Sequence, residues 1–249
     1  MAVKPKILFA WDVHGTTVCD YIDPVIVGLN STFEHFNVDI KVSAYDISRA
    51  GDLSVGGYLH HFLAGADDFD VDGNIKKMVE YFHSVVDCTG MKPMPYARIA
   101  LRTIEKRGYR SAALSALRTG KNLSRCISLC GLNDYLPQHV LRGMDVTQEV
   151  ANVSPEKFKA ETLLRFRKNG LRRQRSSGLT RQKDVWKPDI IVMTGNTSVD
   201  TKGALLGGAI GFRYNPSGKK IEDEHVPRDR IIDDLRKVLP IVERLVLTP

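Results

Sequence analysis

Asp12 is the residue of this chain best placed to do covalent chemistry. It directly follows the apolar run Ile7–Trp11, which predicts a buried strand, and a Gly15-Thr16 turn comes soon after it. Ligands of parallel sheets bind at the carboxyl ends of the strands, where a carboxylate can attack an electrophile and form a covalent intermediate. His14 can exchange protons near neutral pH. We therefore expect Asp12 to be a nucleophile and His14 to be the acid–base group.

Further polar residues follow two other predicted strands. Ser115 comes after the run Ser111–Leu114, and Asp200 lies in the polar stretch after the run Ile190–Met193. The carboxyl ends of parallel strands meet at one edge of a sheet, so these residues should converge on Asp12. Ser115, with the backbone N–H groups of residues 15 and 16, could hold the oxygens of a phosphoryl or carboxylate group. Asp200 would orient its neighbours or help to position a metal ion.

The elements that position these residues alternate between strand-like and helix-like patterns. This alternation is typical of an α/β protein with a parallel sheet. The predicted strands are Ile7–Trp11, Ser111–Leu114, Ile190–Met193, Ala209–Phe212, one near Val140–Val146 and a short one near Arg230–Ile232. The predicted helices of this part are Ile99–Lys106, Lys121–Leu132 and one that begins at Ser154-Pro155.

The stretch from Cys19 to about Met94 has a different pattern. Apolar residues recur with helical spacing in Asp23–Phe36 and Ile75–Val86, and no convincing strand is present. Gly90 to Pro95 contains two prolines and a glycine, which favours a hinge. We expect residues 19–94 to form a helical cap inserted after the first strand.

The order of these motifs resembles that of the haloacid dehalogenase (HAD) superfamily of hydrolases, over essentially the whole chain. Asp12 to Thr16 is similar to the first motif of that family, Ser115 to its second, and Gly195-Asn196 through Asp200 to its fourth. The resemblance implies a HAD-like Rossmannoid core (residues 1–18 and 95–249) with a cap like that of the phosphonatase and β-phosphoglucomutase branch. It also implies an aspartate nucleophile that acts on a small phosphorylated or carboxylated substrate.

The chain departs from the family pattern at several polar positions. His14 replaces the second acid of the first motif, and Asn152 aligns with the third-motif lysine, while Lys157 and Lys159 would lie inside the following helix. Arg49 stands in the cap where phosphonatases have a lysine, and it could hold a substrate carboxylate. Asn196 replaces an acid that binds magnesium, and an amide is a weaker ligand. The resemblance thus implies at most a weak Mg²⁺ site, with the ligands Asp12, Asn196 and Asp200.

Two hypotheses account for these departures. The metal-free haloacid dehalogenases also replace the second acid, and Asp12, Asn196 and Asp200 fit their version of the site. The absence of a third-motif lysine argues against this hypothesis, because that cation balances the charge of the nucleophile. Alternatively, the protein is a catalytically inactive member of the fold that serves as a structural or RNA-binding component.

The segment Arg165–Lys187 is rich in arginine and nearly free of acids. A solvated surface loop explains such a run, and so does an arm that binds RNA, a ribonucleoprotein or another polyanion. The residues of this segment that we consider candidates for contact with nucleic acid are Arg172, Arg173, Arg175, Arg181 and Lys183.

Composition sets broader limits. The 249 residues suit one large domain or a core with an insertion, and the formal net charge of +7 permits phosphate-rich partners without establishing them. No run reaches the ~20 apolar residues of a membrane span, and no signal peptide is evident, so we expect a cytoplasmic protein, with an organelle left open. The four cysteines are expected to be buried thiols in a reducing compartment. A homodimer is compatible with the sequence.

Overall fold

Six parallel strands form the central sheet, in the order β10-β9-β8-β1-β4-β5. The computed structural model describes residues 4–66, 69–117, 120–172 and 185–247. The strands of this sheet are β1 (Ile7–Asp12), β4 (Arg110–Ser115), β5 (Leu141–Gly143), β8 (Ile190–Gly195), β9 (Ile210–Tyr214) and β10 (Ile231–Ile232). β1 lies at the centre and pairs with β4 and β8. All six residues of β1 are buried, as expected for a parallel strand that is covered on both faces.

Helices cover both faces of this sheet. Phe9 and Trp11 of β1 pack against α5 (Ala97–Lys106), α6 (Gly120–Leu129) and α10 (Val238–Leu247). Leu8 and Ala10, which point the other way, pack against α8 (Pro155–Asn169) and α9 (Ser198–Leu206). This alternation along β1 builds a three-layer α/β core and confirms the predicted fold class.

Four helices between β1 and α5 form a bundle with its own hydrophobic cluster. They are α1 (Ile22–His35), α2 (Ala44–Ala50), α3 (Val55–Leu63) and α4 (Val71–Val85), and we call them the cap. The chain enters and leaves the cap through a short antiparallel pair, β2 (Val18–Cys19) and β3 (Lys92–Pro93). α7 (Val146–Val150) belongs to the core by sequence, yet Val146 and Val150 pack on the cluster of the cap. The exact boundaries of 19 and 94 stay a prediction.

The six predicted strands of the main sheet are confirmed, with ends that shift by up to three residues. Among the described residues of 19–94, the expectation of no strand is wrong for the two-residue partners β2 and β3 alone. Such short pieces carry no detectable alternation of polar and apolar residues. The predicted helix Lys121–Leu132 ends earlier, at Leu129, and Gly131 takes a left-handed φ of +62° shortly after it.

Parts of the basic segment Arg165–Lys187 form a helix and a strand pair, where the sequence predicts a surface loop or an arm. Its first part, including Arg165 and Lys168, continues helix α8 to Asn169. β6 (Leu171–Arg172) and β7 (Val185–Trp186) then pair antiparallel. The candidates Arg173, Arg175, Arg181 and Lys183 lie outside the described residues, and of Arg172 only the backbone is described.

The prediction of four buried thiols is confirmed for Cys130 and wrong for the other three cysteines. Cys88, after the last cap helix, forms a disulfide with Cys126 of α6, with their Cα atoms 5.5 Å apart. Cys130 is a buried thiol and Cys19 a partly exposed one. Spacing along the sequence could not reveal a pair that only the packing of the cap return against α6 brings together. Among the described residues, no helix is long and apolar enough to cross a membrane.

Candidate active site

The turn after β1 places Asp12 at the carboxyl edge of the sheet. The carbonyl of Val13 accepts hydrogen bonds from the N–H groups of Thr17 at 3.0 Å and Val18 at 2.8 Å. Gly15 has a φ of +83°, and a Cβ at this position would lie 2.4 Å from the Asn196 side chain. Glycine is therefore required here for both conformation and space, because it allows the β1 turn and the β8 loop to touch.

Lys159 makes the central contact of the site. Its Nζ donates a hydrogen bond to Asp12 Oδ1 at 2.8 Å and a second, short one to Asp200 Oδ1. All three side chains are at least nine-tenths buried. The expectation that no lysine serves Asp12 is wrong, because the Lys159 ammonium contacts its carboxylate.

Helix geometry explains why Lys159 was overlooked. Ser154 occupies the N-cap of α8 and Pro155 its first position, so the helix begins at the same sheet edge as Asp12. Side chains on a helix lean towards its N-terminus, and the long lysine stem spans the remaining turn. The sequence does contain a signal for this role, because Lys159 follows Pro155 by one helical turn. A lysine in the second turn of a helix can still reach the N-terminal end of that helix.

The three buried groups carry two negative charges and one positive charge. Burial and the charge of Asp200 raise the pKa of Asp12 to about 7, against the lowering effect of the Lys159 ammonium. Burial alone would lower the pKa of Lys159, but the two carboxylates outweigh it and hold that pKa above its usual value. Lys159 therefore stays charged, while Asp12 changes its charge near neutral pH.

Asp200 and Asn196 are already engaged by other protein groups. Asp200 Oδ2 accepts from Thr197 N at 2.9 Å and Thr197 Oγ1 at 3.0 Å, which closes a capping box at the start of α9. The amide oxygen of Asn196 accepts from Thr16 Oγ1 at 3.0 Å. Thr16 thus orients Asn196, in addition to any contact that its backbone makes with an anion.

These contacts bear on the predicted magnesium site. Of its three expected ligands, Asp200 uses both oxygens on Lys159 and Thr197, and Asn196 presents its oxygen to Thr16. Within the part of the chain that the structure describes, no group of three or more His, Cys, Asp or Glu residues is placed to hold a metal ion. This arrangement does not fit Mg²⁺, and the positive charge beside Asp12 comes from Lys159.

Ser115 and His14 form a second buried pair. His14 Nδ1 lies 3.1 Å from Ser115 Oγ, and Ser115 Oγ also accepts the N–H of Leu117 at 3.2 Å. The His14 ring lies 5.3 Å from that of Tyr21. The structure therefore joins Ser115, at the end of β4, to the turn that follows Asp12.

A cavity of about 50 Å³ lies between the cap and the core. The core residues on its wall include Asp12, His14, Lys159, Asn196 and Asp200. The cap contributes Tyr21, Asp52, Leu53 and Tyr58. The expected cap residue Arg49 lies elsewhere, because it is exposed and its guanidinium sits 5.9 Å from the ring of Tyr45. Arg49 lies in α2, and the nearby cap residue that lines the cavity is Asp52.

A second, much larger cavity of about 870 Å³ lies beside β5, α8 and β7. Four basic side chains line it, together with His139 and one acid, Asp145. The four are Arg142, Arg165, Lys168 and Lys187. Burial and the charges of Arg142 and Arg110 lower the pKa of His139, as expected in a region of positive potential.

Comparison with known proteins gives the fold. No family model matches this chain, and no curated protein matches it. Solved structures do match. One is a predicted phosphoglycolate phosphatase from Haemophilus somnus 129pt, with a TM-score of 0.64, 16% identity, 97% of this chain covered and 100% of that one.

Two further structures are similar to this chain. CbbY from Rhodobacter sphaeroides, solved in complex with xylulose-(1,5)bisphosphate, gives a TM-score of 0.62 at 14% identity and covers 94% of this chain and 96% of its own. A haloacid dehalogenase-like family hydrolase from Streptococcus pneumoniae gives 0.53 at 13% identity, with 85% of each chain covered. This chain therefore has the fold of the haloacid dehalogenase-like hydrolases.

Proposed function

We propose that the protein is a hydrolase in which Asp12 forms a covalent aspartyl intermediate with a small anionic substrate. The observation that carries this proposal is the buried contact of Asp12 with Lys159, which in turn is fixed by Asp200. Leaving two carboxylates and a lysine buried is costly, and the arrangement brings a nucleophile and its counter-cation to a cavity beneath the cap. The similarity to solved phosphatases supports the same class of chemistry.

The residues around Asp12 would have separate roles in this reaction. Lys159 would hold the attacking carboxylate in place and offset the negative charge that gathers on the substrate oxygens. Ser115 would bind those oxygens together with backbone N–H groups directly after Asp12. The expected N–H groups of Gly15 and Thr16 are engaged within the turn, where they donate to the carbonyls of Val18 at 2.7 Å and Val13 at 3.4 Å. Because the cavity is small, the substrate is expected to be a compact phosphorylated or carboxylated molecule.

His14 is the candidate for proton transfer that the sequence offers. Its Nδ1 is taken up by the contact with Ser115, so exchange with the substrate would take place through Nε2. We retain Asn196 and Asp200 as supporting residues that hold Thr16 and Lys159. The cation in this proposal is Lys159, and no step depends on a metal ion.

The experiment is turnover of phosphate esters, phosphonoacetaldehyde and 2-haloacids by the wild type and by Asp12→Asn. We expect turnover of at least one class, abolished by the substitution, and unchanged when Mg²⁺ is replaced by a chelator. Asp39→Asn, an exposed cap position, is the matched control. Turnover that survives Asp12→Asn would contradict the nucleophile, and dependence on Mg²⁺ would contradict the role of Lys159 as the only cation.

A second candidate function is supported by the basic cavity. We propose that this cavity, together with residues 165–187, contacts RNA or a ribonucleoprotein, whether or not the Asp12 site is catalytic. Its four cations could neutralise several backbone phosphates, and Arg142 lies 5.3 Å from the ring of Phe166.

RNA binding at increasing salt tests this candidate. Neutralising Arg165, Lys168 and Lys187 to Gln should weaken binding and reduce the slope of log K against log[salt] by about 0.7 for each lost phosphate contact with a single strand. The matched control carries three exposed cations on the opposite face of the core, Arg102, Lys106 and Lys121, changed to Gln. An equal loss in both triple variants would mean attraction by net charge alone.

A further inference from the structure

Asp52 is the carboxyl group that the cap contributes to the wall of the cavity beside Asp12. It lies in the loop between α2 and α3, and that loop is held by a hydrogen bond from Tyr58 Oη to the Gly51 carbonyl at 2.8 Å. Gly51 takes a φ of +76°, which turns the chain towards the core. Asp52 and Asp12 line the same cavity of about 50 Å³, from opposite sides.

The surroundings of Asp52 favour its protonated form. Burial of its carboxyl group and the charge of Asp200 raise the pKa of Asp52, while Lys159 and a hydrogen bond with Thr197 oppose the rise. The nearest cation on the cavity wall, Lys159, is already committed to Asp12 and Asp200. Asp52 is exposed to solvent as a whole residue, so its carboxyl can exchange a proton with water. Its hydrogen bond with Thr197, which lines the same cavity, places that carboxyl at the cavity wall.

We propose that Asp52 donates the proton to the leaving group and afterwards accepts it from the attacking water. This inference rests on the proposed function. For a phosphate monoester, Asp12 bonds to phosphorus, the ester P–O bond breaks, and the Asp52 proton moves to the departing oxygen, which leaves as an alcohol. Water then attacks phosphorus, its proton goes to the Asp52 carboxylate, and the bond to Asp12 breaks to release phosphate.

The position of His14 makes Asp52 the better donor. His14 is on the same β1 turn as the nucleophile and is joined to Ser115, a group expected to hold the transferred oxygens. The leaving group of an in-line attack departs on the side away from Asp12, which is the side of the cap. Asp52 lies on that side, so a donor from the cap also links proton transfer to closure of the cap over the substrate.

The test compares leaving groups. We would measure kcat/KM for p-nitrophenyl phosphate, whose leaving group departs without a proton, and for alkyl phosphates, whose leaving groups need one. Asp52→Asn should lower kcat/KM for alkyl phosphates by about 10²–10⁴-fold and that for p-nitrophenyl phosphate by less than about 5-fold. His14→Asn and Asp39→Asn, measured in parallel, should not show this dependence on the leaving group.

Each other outcome has a definite meaning. An equal loss on both kinds of substrate would make Asp52 a binding or structural residue and overturn the inference. A leaving-group dependence in His14→Asn but not in Asp52→Asn would transfer the role to His14. A wild type that hydrolyses p-nitrophenyl phosphate through Asp12 preserves the proposed function in either case. A wild type that is inactive on every ester overturns the role of Asp52 as a donor to an ester leaving group, and only inactivity on phosphonoacetaldehyde and 2-haloacids as well would overturn the proposed function.

Discussion

At the scale of single residues, the site depends on one ammonium shared by two carboxylates. Lys159 contacts Asp12 and Asp200 where water is largely excluded, so removal of the lysine leaves two buried carboxylates without a cation. Breaking a buried ion pair on one side costs about 3–5 kcal/mol. From sequence, Lys157 and Lys159 were both expected to lie inside the helix, but only Lys159 is buried in the site, whereas the Lys157 side chain is exposed.

We expect Lys159→Met to abolish turnover and to lower the free energy of unfolding by about 3–5 kcal/mol at pH 8. The loss should shrink towards pH 5. Without Lys159, the folded-state pKa of Asp12 rises further above its unfolded value, so the destabilisation develops as pH rises and disappears when the carboxyl is protonated. Urea unfolding at both pH values measures this effect. Lys157→Met is the control, and equal behaviour of the two variants would contradict the geometry.

The raised pKa of Asp12 also predicts how the rate depends on pH. The nucleophile must be ionised, so turnover of p-nitrophenyl phosphate should rise with pH through about 7. Asp200→Asn removes a negative charge that raises this pKa, and the acidic limb should therefore move to lower pH. Rate profiles of the wild type and this variant between pH 4.5 and 9 provide the measurement. An acidic limb that does not move would show that another group controls it.

At the scale of elements, the cap meets the core at helix α7. Gly56 of α3 lies so close to Glu149 that a Cβ would sit 2.0 Å from the carbonyl oxygen of Glu149. The Glu149 carboxylate, fully buried, contacts His83 Nε2 at 3.0 and 3.1 Å. Asn122 of the core donates to the His83 carbonyl at 2.7 Å. These contacts fix the cap, and with it Asp52, over the sheet edge.

Gly56→Ala should therefore push α3 away from α7. Alanine favours an exposed helix over glycine by about 1 kcal/mol, but a methyl group against a backbone oxygen costs about 1–3 kcal/mol and displaces the cap. We expect lower stability in urea and a lower kcat/KM. Gly65→Ala has open space around its Cβ and should leave both quantities unchanged. A Gly56→Ala variant with unchanged activity and stability would contradict the close contact between Gly56 of α3 and Glu149 of α7.

The sequence predicts long elements well and short or shared ones poorly. β1, β4 and β8 were found because most of their residues are buried and apolar, and Asp12, Ser115 and Asp200 because they lie at or after the ends of those strands. Lys159 and Asp52 were not found, because their roles depend on where α8 begins and on which side of a cap loop faces the core. Both depend on packing between elements far apart in sequence, which periodicity within one element does not encode.

At the scale of the whole molecule, covalent and noncovalent links tie the cap return to the core. Cys88 lies on the segment that leaves the cap, and it is bonded to Cys126 of α6, 38 positions further along the sequence. The same two residues belong to the main core cluster. The link is placed where the chain returns from the cap, so it limits how far this segment can separate from the core without restraining the cap loop that carries Asp52.

Thiol counting tests this link directly. Under denaturing conditions without reductant, the wild type should show two reactive thiols, those of Cys19 and Cys130, and four after reduction. Reduction should lower the free energy of unfolding by about 2–4 kcal/mol, because the unfolded chain gains freedom when the loop opens. The double variant Cys88→Ala/Cys126→Ala should not respond to reductant, which separates the effect of the bond from that of packing. Four thiols in the untreated protein would show that the two cysteines only touch, and then the His83–Glu149 contact and the packing of α7 would be what remains to hold the cap in place.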